Sequence, residues 1–285
     1  MTMTTGFDPS TPNAARIYDF LLGGKEHFAT DRAAAEKLLR LIPDASVAAH
    51  ENRQFLHRAV HYLAGEAGIR QFIDIGSGLP TAENTHEVAC EEESAARTVY
   101  VDHDPVVTAH ARALLATDEN VTAISGDLRD PQSILDNPDL RNVIDLDQPV
   151  AVILVAVLHF LDDAPAYTAT SFLKRVIPPG SFIVLSHATT DLVEAEADQK
   201  AREIYRDTAT PIVPRTKEEV SWFFDRLELV EPGIVGVAEW RSGPRPAPSR
   251  NIVHAGIGRK TLLALPVDGQ RDPRADATSG GQGSL

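Results

Sequence analysis

The 285-residue chain has a single cysteine, Cys90. One thiol cannot close an internal disulfide, so the fold does not depend on an oxidising compartment. Cys90 sits beside Glu91, Glu92 and Glu93. Acids so close raise a thiol pKa, which argues for a structural residue and against a nucleophile. Long hydrophobic runs are missing too. The longest, residues 150–158, is far too short to span a membrane. Residues 1–12 are polar, with no apolar stretch and no basic lead, so no signal peptide is expected. Nor is there a long run of lysine or arginine. The formal net charge is -14, and an acidic chain repels phosphate backbones. Nucleic acid and membrane are therefore poor partners, and a cytoplasmic protein is expected. No His/Cys/Asp/Glu cluster has metal-ligand spacing, so no metal is expected. A Gly-x-Ser-x-Gly elbow and a Gly-Lys-Ser/Thr phosphate loop are also missing.

What is present is a regular alternation. Residues 71–75, 98–102, 120–125, 150–157 and 182–185 read as strands, with helical spacing between them. The almost unbroken apolar run from Val150 suits a central parallel strand covered on both faces. Two more strands are expected at 229–237 and 251–257, after a helix at 216–227. The pattern predicts a Rossmann-like α/β fold: a mostly parallel seven-stranded sheet with helices on both faces. The expected organisation is a disordered 1–12, an N-terminal helical lid at 13–51, the Rossmann-like domain at 52–262, and a disordered tail at 263–285. In such sheets ligands bind beyond the carboxyl ends of the strands, so the loops there deserve the closest reading.

Asp74-Ile75-Gly76-Ser77-Gly78 lies where the first strand gives way to a helix. Two glycines one residue apart allow a tight turn that brings backbone N–H groups toward a ligand. The acid before them suits a cationic group, such as the ammonium and sulfonium of S-adenosylmethionine. A dinucleotide site would carry a third small residue where this chain has Thr81, and its pyrophosphate would be repelled by Asp74. A bare turn is the remaining alternative. Asp102, followed by His103, ends the second strand and is placed to accept ribose hydroxyls. Asp104 precedes Pro105 and suits a helix cap. Asp127 and Leu128 follow the third strand, where a carboxylate can accept from an adenine amino group. Ala156 and Val157 leave the fourth strand, followed by His159, a candidate general base or a packed histidine. His187 is a similar case after the fifth strand. Asp162 and Asp163 read as caps of the next helix.

Together these pieces resemble class I S-adenosylmethionine-dependent methyltransferases. The run from Pro12 to Phe28, with Asp31-Arg32, Asn52-Arg53, Gly126 to Pro131 and Leu158-His159-Phe160, resembles an actinobacterial family. That family was formerly a domain of unknown function and is now called the S-adenosyl methyltransferase family. The resemblance implies S-adenosylmethionine as cofactor. It implies that Asp74, Gly76 and Gly78 hold its methionine end, Asp102 its ribose, and Asp127 and Leu128 its adenine, with Ser77, His103 and Tyr18 also expected to bind the cofactor. Ala156 and Val157 would line the path to the methyl. It names no acceptor; a small molecule is expected on charge grounds, and a non-catalytic cofactor-binding module stays open. The polar N-terminal segment reads as a lid that brings Tyr18 or Arg16 to the cofactor or acceptor, with a packed cap as the alternative.

Overall fold

A computed structural model describes residues 8–81, 83–116, 118–191, 193, 195–206, 208, 211–243 and 252–262. Most of the two segments expected to be disordered, 1–7 and 263–285, lies outside the described residues. Residues 8–12 form a turn instead: Asp8 accepts from the Ser10 N–H at 2.8 Å, and Arg16 donates to the Thr11 carbonyl at 2.9 Å.

Three helices come first: α1 (Ala14–Leu21), α2 (Ala29–Leu41) and α3 (Ala45–His61). Then follow β1 (Gln71–Ile75), α4 (Thr85–Glu92), β2 (Arg97–Asp102), α5 (Pro105–Leu114) and β3 (Val121–Ser125). Next come α6 (Pro131–Leu135), α7 (Pro138–Val143), β4 (Ala151–Val155), α8 (Asp163–Val176) and β5 (Phe182–Ala188). The chain continues with α9 (Ala195–Arg206), α10 (Lys217–Ser221), β6 (Glu228–Leu229), β7 (Val235–Gly236) and β8 (Val253–Arg259). The strand order is β3-β2-β1-β4-β5-β8-β6, with β7 also on β8, and the sheet has eight strands. Neighbours from β3 to β5 are parallel, and β8 runs antiparallel to β5.

The eighth strand corrects the expected seven. Residues 229–237 form no single strand. The chain turns at Glu231-Pro232-Gly233, where Pro232 has no N–H to donate and Gly233 takes φ +85. Two short pieces, β6 and β7, result, each paired with β8. The helix expected at 216–227 is also shorter, an α turn followed by a 3-10 turn that ends at Phe224. Helix α4 begins later than its apolar pattern suggests, because Asn84 and Glu87 close a capping box at residue 84.

Side chains alternate across the pleat. Ile73 and Ile75 face one core with Val152, Leu154 and Ile183. Phe72 faces the other, with Phe55, Leu56, Ala59, Val60 and Leu63 of α3 and the turn that follows it. Asp74 shares the parity of Phe72, so it points to the α3 side. Helix α3 runs straight through residues 51 and 52, where the lid was expected to meet the Rossmann-like domain. The N-terminal helices are thus continuous with the sheet's own helical layer. Their apolar faces, including Ile17, Leu21 and Leu38, cluster with Tyr205 of α9.

Candidate functional site

The strand order reverses between β1 and β4, and open α/β sheets bind ligands at that switch point. The two strand exits touch there. A Cβ on Gly76 would lie 2.4 Å from Val157 Cγ2, and Gly76 has φ +72, so glycine is demanded twice over. The loop's N–H groups are spent inside the protein. Gly76 N donates to the Val101 carbonyl at 2.7 Å, and Ser77 N to the same oxygen at 3.2 Å. Gly78 N donates to Asp102 Oδ2 at 3.0 Å. These three N–H groups, expected to turn toward a ligand, are committed within the protein; the glycines shape the floor, and side chains supply polar groups. Ala156, opposite, also takes a positive φ of 58, held by a hydrogen bond from its N–H to Ser186 Oγ at 2.9 Å.

Three acids were expected here, and their surroundings differ. Asp74 is buried and accepts from Thr85 Oγ1 at 2.7 Å. Burial pushes its carboxyl up to about 6, the behaviour of an acid waiting for a cation. Asp102 is also buried, and desolvation raises its pKa. Its Oδ1 accepts from the Asp104 N–H at 2.9 Å, so both oxygens are oriented yet each keeps a free lone pair. His103 is half exposed, its Nδ1 3.5 Å from Asp102 Oδ1. Asp127 is gripped by Arg129, whose Nε donates to Oδ1 at 2.9 Å. That hydrogen bonding holds the Asp127 carboxyl below its usual range. Leu128 is buried in the core beside it.

The N-terminal residues are pinned. Arg16 Nε bonds Asp31 at 2.8 Å with both side chains buried. Asn13 Nδ2 donates to Asp104 Oδ2 at 2.7 Å, while Asp104 Oδ1 caps α5 through the Val106 N–H. The Tyr18 hydroxyl donates to the Ala49 carbonyl and accepts from Asn52 Nδ2, both at 3.0 Å. Gly24 is fixed by Asp19, whose carboxylate occupies the space of a Cβ and receives the Glu26 N–H at 2.9 Å. The signature's polar and glycine residues therefore fasten α1 to α2 and to the β2–α5 junction.

His159 is buried, and its Nδ1 accepts from the Ala188 N–H at 3.2 Å. The neutral ring must then carry its proton on Nε2. Burial, aided by the Arg215 charge, lowers its pKa to about 3. His187 lies deeper, and its pKa is also pushed down by burial. It is fixed from both sides by the Ala188 carbonyl at 2.7 Å and Arg215 at 2.9 Å. Arg215, fully buried, also donates to the carbonyls of Leu158 at 3.1 Å and Leu161 at 2.9 Å and pairs with Asp163. It holds the loop that carries His159. Asp163 is thus a partner of Arg215, and Asp162 occupies the cap position of α8 without a side-chain cap bond. Cys90 is exposed, and partial desolvation of its thiol, with Asp118 and Glu93 nearby, raises its pKa.

The eleven residues expected to bind the cofactor and His159 line one cleft of about 1060 Å³, whereas His187 does not. Tyr18, Asn52 and Arg53 form its α3 side, Asp74 to Gly78 its floor, and Asp102, His103, Asp127 and Leu128 one end. Ala156, Val157 and His159 stand at the centre. Asn52 Oδ1 and Ser77 Oγ are buried without a hydrogen-bond partner, a costly state for groups that a ligand does not complete. Asn52, Arg53 and Arg215 were not read as site residues from sequence. Only the position of Asn52-Arg53 inside the signature hinted at the first two.

A family model described as S-adenosyl methyltransferase matches residues 1–261. The chain belongs to the S-adenosyl methyltransferase family. It is an S-adenosylmethionine-dependent methyltransferase. A Thermobifida fusca crystal structure, provisionally described as a methyltransferase, is 44% identical, with TM-score 0.84 over 88% of this chain and 96% of that one. A DUF574 family protein from Streptomyces avermitilis is 36% identical, with TM-score 0.84 over 89% of this chain and 99% of that one. No curated protein sequence matches the chain. The donor set of the cleft suits the methionine end of the cofactor: acids for the ammonium, Arg53 for the carboxylate, and two unpaired polar atoms. Among the described residues no helix is long and apolar enough to cross a membrane.

Proposed function

We propose that this methyltransferase works in the cytoplasm of an actinobacterium and transfers a methyl group to a small-molecule acceptor within the cleft. The observation that carries this reading is the convergence of the strand-end residues with the orphaned Asn52 Oδ1 and Ser77 Oγ on one cavity. When bound, S-adenosylmethionine supplies an activated methyl on a sulfonium. Asp74 and Asn52 Oδ1 hold the ammonium, and Arg53 faces the carboxylate. Asp102 and His103 receive the ribose hydroxyls, and Asp127 with Leu128 borders the adenine. Gly76, Val157 and Ala156 bring the two strand exits together and exclude water around the methyl. The negative charge of the chain disfavours nucleic acid as acceptor.

His159 is assigned to the acceptor side as a positioning donor. With Nδ1 already accepting and a pKa near 3, it is a poor general base at neutral pH. Alignment and dehydration then supply most of the catalysis. Calorimetry with S-adenosylmethionine and S-adenosylhomocysteine tests the assignment. Micromolar-range binding that disappears in Asp102→Ala is expected. A folded protein that binds neither compound would overturn it.

A further inference from the structure

Ligand pockets for one drug-sized molecule run to about 300–1,000 Å³. A cleft of about 1060 Å³ therefore has room for a second molecule beside the cofactor. The half beyond β4, toward β5 and α9, differs from the polar half beneath α3. One wall is aromatic. The His159 and Phe160 rings meet edge to face at 4.4 Å, and Phe160 and Tyr205 lie tilted at 5.9 Å. Leu38 and Ile42 of the cap and Ile212 border the same cavity and share one apolar cluster with Phe160 and Tyr205.

The charges around this half are few and committed. Asp198 pairs with Arg202 at 2.8 Å, and Asp162 is exposed to solvent at the rim. Arg16 is held by Asp31, and Arg215 spends its guanidinium on carbonyls, His187 and Asp163. Among the described residues, nothing in this half offers an uncommitted positive charge to a phosphate, a sulfonate or a carboxylate. Among the described residues, the neutral polar groups on this side include the Thr189 hydroxyl, the His159 Nε2–H and the Tyr205 phenol, which burial keeps protonated up to about 12.

Resting on the assignment of this cleft to methyl transfer, we infer that the acceptor is a flat, uncharged, largely apolar ring compound, held between the Phe160–Tyr205 wall and the Leu38–Ile42 face of the cap. His159 donates an N–H to a polar atom on that ring. Because no described residue of that wall is a strong base, the methylated atom is one that is nucleophilic without enzymatic deprotonation.

The test titrates 2-naphthol, a flat uncharged probe, into the full-length protein saturated with S-adenosylhomocysteine, and separately into the protein alone. 2-Naphthalenesulfonate serves as the charged probe of similar shape. We expect 2-naphthol to bind and the sulfonate to bind at least tenfold more weakly. Phe160→Leu keeps apolar volume but removes the ring contact, and should weaken 2-naphthol about two- to tenfold with S-adenosylhomocysteine affinity unchanged. Ile42→Asp, which places a charge in the cap wall, should abolish 2-naphthol binding. Equal binding of the two probes, no 2-naphthol binding in either titration, or unchanged 2-naphthol affinity in both variants overturns the inference. Loss of S-adenosylhomocysteine binding by the folded wild type would instead strike the cofactor assignment, and the titration of the protein alone still decides the acceptor class.

Discussion

Asp74→Asn should make the ligand-free protein more stable while making it a worse binder. Asp74 is buried at the α3 side of β1 with one hydrogen bond, from Thr85 Oγ1 at 2.7 Å. Desolvation raises its carboxyl from 3.8 to about 6. A raised carboxyl makes the folded state bind the proton more tightly than the unfolded chain does. The stability this contributes is full below 3.8 and is lost as pH rises through about 6. At pH 7.5 the ionised side chain therefore costs up to about 3 kcal/mol, from a shift of about two units at 1.36 kcal/mol each. The amide of Asn carries no charge to desolvate and still accepts from Thr85. Its thermal midpoint at pH 7.5 should rise by several degrees, and the gain should vanish near pH 4.

Binding should move the other way. An ammonium beside Asp74 favours the charged carboxylate, so affinity for S-adenosylhomocysteine should fall as the acid protonates. With a pKa of about 6, roughly one carboxyl in eleven is ionised at pH 5, and affinity drops about tenfold from its value above pH 7. Calorimetry in buffers of different ionisation enthalpy would also count the proton released on binding near pH 5. Asp74→Asn should bind about ten- to a hundredfold more weakly at pH 7.5, the worth of a charge-assisted hydrogen bond. Its shallow remaining slope would report Asp102, whose pKa burial also raises. The reasoning is refuted if wild-type affinity is the same at pH 5 and 7.5, or if the full tenfold slope survives in Asp74→Asn.

Further outcomes follow from the site. Gly76→Ala forces a left-handed φ on a residue with a Cβ and drives that Cβ into Val157. We expect a loss of about 2–4 kcal/mol in urea unfolding; a loss under 0.5 would show that β4's exit loop yields freely. Arg16→Ala leaves Asp31 charged and buried, so a loss of about 3–5 kcal/mol is expected, whereas a mobile lid would lose almost nothing. His159 should stay neutral from pH 5 to 8, because burial lowers its pKa to about 3. Its ring resonances in NMR should be flat over that range, and a midpoint near 6.5 would restore the general-base reading. The same depressed pKa makes its contribution to stability full above 6.5 and lost as pH falls toward 3. His159→Ala should lower turnover without loss of cofactor binding.

The sheet's centre was legible because its physics is local. Val150 to Leu154 is apolar at every position, as a strand covered on both faces requires, and glycines mark the exit of β1. The sheet's edge was less legible. Residues 229–237 have strand-like composition, but Pro232 and Gly233 break the ladder, and the pairing with β8 is long-range. The acids after β1, β2 and β3 were legible as a set, since topology alone sends each strand end to the same crevice. Their different protonation was not legible: it depends on burial and on partners such as Arg129 and Thr85. Arg215 was invisible for a related reason. Its partners Leu158, Leu161, Asp163 and His187 lie 28 or more residues away, and two of them are backbone carbonyls, which leave no sequence pattern.

The N-terminal segment shows how much of a signature's polarity can find internal partners. Arg16, Tyr18, Asp19, Gly24 and Asp31 look like ligand-binding chemistry because they are polar and clustered. In the structure most of that polarity is consumed internally: Arg16 by Asp31, Gly24 and Glu26 by Asp19, Tyr18 by Ala49 and Asn52. Asn13 then ties the assembly to Asp104, two residues beyond the acid assigned to the ribose. A cap fastened to the cofactor loop has a consequence that a free lid lacks. Asp104 N donates to Asp102 Oδ1, so the cap, the helix start of α5 and the ribose acid share one hydrogen-bond chain. Any shift of α1 must pull on Asp104 and, through it, on Asp102. The wall proposed for the acceptor includes Leu38 and Ile42 of the same N-terminal segment. The two halves of the cleft are therefore joined through one hydrogen-bonded element, and on the proposed assignment the alignment of methyl donor and acceptor would follow from how that element is seated.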